Sequence, residues 1–222
     1  MGSRAWGLEN ANSDYDVKFI YVRRLNFYFS IEDGRRDLID ENSEYDMNGW
    51  DLRKALQLLR ESNCSILEWI YSAHAYKTES SFLSKISNLA TQCFCRARLL
   101  LAYWGKANKH YRDNIQIESG DGDVQRKKYL FVIQALLFAH WILAFAPADA
   151  ILPPQDFSVL LAAFHRDSSA SDKLENKFAS IPSEIVVIIE ELVASKRAGT
   201  LKGGPRIKKL GMFTSYSRCE AA

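Results

Sequence analysis

The sequence predicts an α+β protein, in which a small mixed sheet with helices precedes a helical bundle. Short apolar segments separated by turn residues fill the first part of the chain, and long apolar stripes at helical spacing fill most of the rest. With 222 residues and 47% hydrophobic content, the chain can bury a substantial core. We therefore expect a first domain at residues 1–75, a helical domain at 76–195 and a basic, glycine-rich mobile tail at 196–222.

The first domain carries the strand signals. The segment from Val17 to Arg23 is almost continuously apolar, which is typical of a central strand. Two further short strands are predicted at 37–40 and 44–50, and a helix with apolar residues at helical spacing is predicted at 51–60. The capping box Ser65-x-x-Glu68 indicates the start of a second helix.

The second domain contains only helix signals. One apolar stripe predicts a long helix from Phe82 to Trp104. The segment from Tyr129 to Phe145 is apolar nearly all round and approaches the length of a membrane span. Because Gln134 and His140 interrupt it, we interpret it as the buried central helix of a bundle. Ser183 is expected to cap the last helix.

The first sixteen residues carry a pattern of residues suited to phosphate and metal chemistry. Gly2 allows the backbone to approach a phosphate closely, and the Ser3 hydroxyl can donate to its oxygens. Asp14 and Asp16 are two apart, so in an extended segment both carboxylates point to the same face. Paired carboxylates beside a phosphate-binding segment are what nucleotidyl transfer with two metal ions requires.

This arrangement resembles the nucleotidyltransferases of the DNA polymerase β superfamily, whose signature is Gly-Ser followed a short distance later by Asp-x-Asp. The sequence is still more similar to the YcgL/RlaP-type predicted nucleotidyltransferase family over roughly residues 2–165. The blocks that match are Gly2-Ser3-Arg4-Ala5-Trp6-Gly7, Asp14-Tyr15-Asp16-Val17, Phe19-Ile20-Tyr21-Val22 and Asn48-Gly49-Trp50-Asp51-Leu52-Arg53-Lys54-Ala55-Leu56. The helix and strand that usually precede Gly-Ser are not in this sequence. We therefore expect that the true start lies upstream, or that the chain is a fragment or shortened form, weakly active at best.

The resemblance implies a polymerase-β-type nucleotidyltransferase domain over residues 1–75. The activity implied is Mg²⁺-dependent transfer of a nucleoside monophosphate from a nucleoside triphosphate to an acceptor hydroxyl. Asp14 and Asp16 would hold Mg²⁺ (or Mn²⁺), and Gly2 and Ser3 would hold the triphosphate.

The chemistry also needs a third carboxylate, as a base or as a further metal ligand. Asp46 is the best candidate, because it lies 30 residues after Asp16, enough for a loop and a returning neighbour strand. Asp51 is the alternative, but a position in the first turn of a helix explains it without catalysis. Lys127 and Lys128 match a family block and are candidates for nucleotide binding. The basic cluster at 106–112 fits either an acceptor groove or a solvated helix end.

The acceptor is the least determined part of the activity. The family's association with RNA repair makes an RNA end the leading acceptor, by analogy. The alternatives are nucleotidylation of a protein or small molecule, or an inactive nucleotide-binding module. A net charge of +2 favours neither the presence nor the absence of nucleic acid. Without a visible signal peptide or a second apolar span, we expect a cytoplasmic protein with no membrane partner. The sequence does not specify the nucleotide or the oligomeric state.

Overall fold

A computed structural model describes residues 2–31, 37–40, 45–77, 79–116, 124–144, 150–165, 181–205 and 207. The described residues form an α+β protein, as predicted, with helices in the majority and two small sheets. The chain divides into two compact units, one at residues 1–7 and 12–99 and the other at residues 8–11 and 100–222. The main boundary between the two units falls after residue 99, whereas the predicted domain boundary falls after residue 75.

The sheet of the first unit contains strands β1 (Tyr15–Tyr21), β2 (Asp37–Asp40) and β3 (Tyr45–Asp51). The middle strand is β3, which pairs in parallel with β1 and antiparallel with β2. The prediction of a central strand at 17–23 is therefore wrong, since β1 begins earlier and lies at an edge of this sheet. Its apolar side chains are half-buried. It pairs with one strand, and helices α1 (Gly2–Ala5) and α3 (Leu52–Arg60) also contact it.

Four helices accompany this sheet in the first half of the unit: α1, α2 (Leu25–Tyr28), α3 (Leu52–Arg60) and α4 (Cys64–Ile70). The cap of α4 is Asn63, whose side chain accepts a hydrogen bond from the Ser65 N–H at 2.9 Å. The predicted capping box at Ser65 is therefore wrong. The cap lies two residues earlier than predicted, so the helix begins at Cys64 and Glu68 lies inside it, almost fully buried.

The predicted long helix at 82–104 is two helices, α5 (Ser80–Cys93) and α6 (Arg96–Tyr111). Ser62 fixes the break between them. Its hydroxyl donates to the Cys93 carbonyl at 3.2 Å and accepts from the Cys95 N–H at 2.8 Å. The apolar stripe continues across this break, which is why the sequence pattern did not reveal it. Helix α5 contacts α3 and α4 and so belongs to the first compact unit.

The second unit is built around α7 (Lys127–Ala144), which contacts α8 (Phe157–His165) and α9 (Ser183–Arg197). A π-helical turn at Arg112–Gln116 follows α6. By length and composition α7 could cross a membrane, but 67% of it is buried inside the protein. Among the described residues it is the one helix of that kind, and its burial agrees with the predicted core helix.

Strands β4 (Val124–Gln125) and β5 (Gly203–Gly204) form a short antiparallel pair. The first residues of the predicted mobile tail are therefore structured, since α9 ends at Arg197 and β5 pairs with β4. Residues 206 and 208–222 of that tail lie outside the described residues. The predicted Ser183 cap is wrong, because Pro182 occupies the cap position of α9 and Ser183 is its first helical residue.

Candidate active site

Two of the predicted aspartates meet on one face of the first sheet. The parallel register of β1 and β3 places Asp16 directly opposite Asp46 and Lys18 opposite Asn48. Alternate residues of a strand share a face, so these four side chains form one polar surface, which we call the carboxylate face. The Lys18 Nζ lies 3.5 Å from Asp46 Oδ1 and 3.9 Å from Asp16 Oδ1, which confirms that the three charged groups converge.

Gly2 lies against this face. A Cβ at position 2 would overlap Asp16 Oδ2, and the φ of Gly2 is +71°, a conformation that L side chains rarely adopt. Only glycine therefore allows the backbone to approach the carboxylate this closely. Ser3 follows in the same helical turn and is half-buried.

Arg4 fixes the position of this glycine turn. Its guanidinium lies 3.8 Å from the centre of the Tyr15 ring and donates to the Ser13 carbonyl at 2.8 Å. The Tyr15 ring in turn contacts the Tyr45 ring on the neighbouring strand, with centroids 5.7 Å apart. A cation–π contact and a charge-assisted hydrogen bond thus hold α1 onto the start of β1.

Asp16 is less solvated than its register partner Asp46. Its side chain is 23% exposed, against 48% for Asp46. Burial raises the pKa of the Asp16 carboxyl above its usual value, the Lys18 ammonium opposes that rise, and the charges of Asp14 and Asp46 add to it. Ionisation of Asp16 is therefore less favourable in the folded protein than in water. A second cation beside the carboxylate would make it more favourable.

The donor set of the carboxylate face fits a hard divalent cation. Magnesium prefers oxygen ligands, and the face offers the two carboxylates of Asp16 and Asp46. Beside them, the amide oxygen of Asn48 is buried and accepts no hydrogen bond within the described part of the chain. Across the described ranges, no three His, Cys, Asp or Glu side chains lie close enough together to hold a metal. The exposed Asp14 therefore does not join Asp16 and Asp46 in a preformed group, and its metal role stays a prediction.

The alternative third carboxylate, Asp51, has a structural position. It is fully buried, and its Oδ1 accepts the Arg53 N–H at 2.9 Å as the N-cap of α3. Its Oδ2 accepts the Tyr28 hydroxyl at 2.8 Å. By strand alternation Asp51 also lies on the opposite face of β3 from Asp46. The geometry thus favours Asp46 over Asp51.

Lys127 and Lys128 lie in the second compact unit, at the start of α7. Lys127 is exposed, and Lys128 is half-buried near His110, whose ring stacks on Phe131 with centroids 5.6 Å apart. Burial lowers the pKa of His110, and the charges of Lys106 and Lys128 act in the same direction. Two helices thus contribute to one basic cluster. The nucleotide-binding role of Lys127 and Lys128 stays a prediction.

Sequence reasoning missed two residues of the carboxylate face, Lys18 and Asn48. Each is two positions after a predicted aspartate, so strand alternation alone places it on the same face. Arg4 was missed as well. No local pattern marks it, because its partners Ser13 and Tyr15 lie beyond an intervening loop.

The α+β fold and its small mixed sheet agree with the polymerase-β class of proteins. Residues 1–178 match the family described as RlaP, RNA repair pathway DNA polymerase beta family, and the protein belongs to this family. It is similar to a protein of Bacillus subtilis (strain 168) named "Uncharacterized protein YcgL", with 37% identity over 162 residues. That match covers 72% of this chain and 59% of the relative, so the chain spans about three-fifths of the relative's length. No solved structure matches the protein significantly.

Proposed function

We propose that the protein is a Mg²⁺-dependent nucleotidyltransferase that transfers a nucleoside monophosphate from a nucleoside triphosphate to an acceptor hydroxyl. The observation that carries this proposal is the pairing of Asp16 with Asp46 on adjacent parallel strands, with the Gly2 backbone against Asp16. Membership of the polymerase-β family described above supports the same reaction class.

The residues at and beside the carboxylate face have different roles in this reaction. Mg²⁺ held by Asp16 and Asp46, with Asp14, would neutralise the triphosphate and acidify the acceptor hydroxyl. Gly2 and Ser3 bind the triphosphate oxygens. Asp46, the more exposed carboxylate, accepts the proton of the acceptor hydroxyl. The acceptor oxygen then forms a bond to the α-phosphorus, and the bond to the leaving pyrophosphate breaks.

We further propose an RNA end as the acceptor. The family description names an RNA repair pathway, and the cluster of His110 with Lys106 and Lys128 offers positive charge beside a stacked aromatic ring. Positive charge contacts phosphates, and aromatic rings stack on unpaired bases. Transfer to a protein or a small molecule is the outcome that would replace this part of the proposal.

Thermal unfolding with Mg²⁺ or Mn²⁺ and a nucleoside triphosphate tests the site. A ligand that binds only the folded state raises the melting temperature, so the wild-type protein should be stabilised. The double variant Asp14→Asn/Asp16→Asn should lose that stabilisation. Asp37→Asn is the matched control, because Asp37 lies on β2 and pairs with Lys54. An equal stabilisation of the double variant would rule out the proposed site.

A further inference from the structure

Lys18 occupies a position between the two paired carboxylates. Its Nζ is 3.5 Å from Asp46 and 3.9 Å from Asp16, and its side chain is only 17% exposed. Lysine side chains normally keep their charge in water, so this degree of cover is unusual for a sheet surface. The ammonium therefore lies where a cation shared by the two carboxylates would lie.

A second acceptor lies next to Lys18. Asn48 is its register partner on β3, and the Asn48 Oδ1 is buried without a hydrogen bond within the described residues. A buried acceptor without a donor is costly, and an ammonium has three donors. Neighbouring strands lie about 4.8 Å apart, a distance that a lysine side chain spans easily.

We propose that Lys18 is an internal counter-ion, which holds Asp16 and Asp46 together in the metal-free protein and moves to the Asn48 amide oxygen when a divalent cation binds. This inference rests on the proposed function and adds a positioning residue to it. Lys18 organises the carboxylate face before the metal arrives and, because it carries a like charge, limits the affinity for the metal.

Titration of the full chain with Mn²⁺, followed by electron paramagnetic resonance of the free ion, tests this role. Lys18→Met should bind Mn²⁺ about tenfold more tightly than the wild type, because a competing charge within 4 Å is gone. Lys18→Arg keeps the charge and should bind Mn²⁺ with the wild-type affinity. Lys54→Met is the matched control, since it removes an equal charge whose ion-pair partner is Asp37 and not Asp16 or Asp46.

Asn48→Leu tests the second position of the ammonium. This variant keeps the side-chain shape but removes the acceptor, so Mn²⁺ should bind about threefold more weakly than in the wild type. An unchanged affinity in Asn48→Leu would overturn the movement to Asn48.

Three outcomes decide between the inference and the proposed function. If Asp16→Asn abolishes Mn²⁺ binding while Lys18→Met binds like the wild type, Lys18 is not a counter-ion, and the metal site stands. If the wild type and Asp16→Asn bind equally poorly, the metal site and the inference both fail. If Lys18→Met does not fold, Lys18→Gln replaces it, and an affinity equal to that of Lys18→Arg overturns the inference.

Discussion

At the scale of single residues, Asp16 makes the stability of the protein depend on pH. Its carboxyl has a raised pKa, mainly because of burial. In the pH range between its usual value of 3.8 and that raised pKa, the folded state binds the proton more readily than the unfolded state. Stability from this group is therefore lost as the pH rises through that range and is recovered as the pH falls. A residue that opposes folding at neutral pH fits a functional role.

Gly2→Ala should damage both stability and binding. The new Cβ would overlap the Asp16 carboxylate, and the positive φ of +71° adds about 1–2 kcal/mol of strain. We expect chemical denaturation to show a loss of at least that size. The stabilisation by Mg²⁺ and triphosphate should also disappear, because Asp16 must move.

Gly105→Ala is the control for this prediction. Gly105 lies in α6, and a Cβ there meets nothing within 4 Å. This variant should gain about 0.5–1 kcal/mol, because alanine favours a helix interior over glycine. If Gly2→Ala were as stable as the wild type and bound nucleotide normally, the close approach of Gly2 to Asp16 would be wrong.

At the scale of elements, the sequence predicted those strands and helices whose structure depends on residues close by in the chain. The strand at 37–40 is confirmed, as is the helix at 51–60 to within a residue, because each carries its own periodicity or cap. The break between α5 and α6 was missed, since Ser62 imposes it from another part of the chain. The convergence of Lys18, Asp16 and Asp46 depends on register between strands, which periodicity does not encode.

The two candidate third carboxylates should separate in a stability experiment. Asp51→Ala removes the N-cap of α3 and the acceptor of the Tyr28 hydroxyl, so we expect a loss of about 2–3 kcal/mol. Asp46→Ala removes one partly exposed ion pair with Lys18 and should cost less than about 1 kcal/mol. Urea denaturation of both variants measures the difference. A larger loss for Asp46→Ala would make it a structural residue.

At the scale of the whole molecule, the protein combines one sheet-based unit with one helical unit. The first contains the carboxylate face and the second contains the basic cluster around His110. The net charge of the protein is only +2, so the overall charge does not favour a polyanionic acceptor. The expectation of such an acceptor rests on this local cluster. The sequence resemblance anticipated the family, and the structure adds the pairing of Asp16 with Asp46.

The most direct test of nucleotidyl transfer uses ATP and the other nucleoside triphosphates labelled at the α-phosphate, with Mg²⁺ and a panel of RNA ends. We expect metal-dependent transfer of label to RNA with release of pyrophosphate. Asp46→Asn should lower the rate by about 100-fold or more and preserve nucleotide binding, because a base acts in the transition state. No transfer by the wild type, or equal transfer by Asp46→Asn, would contradict this expectation.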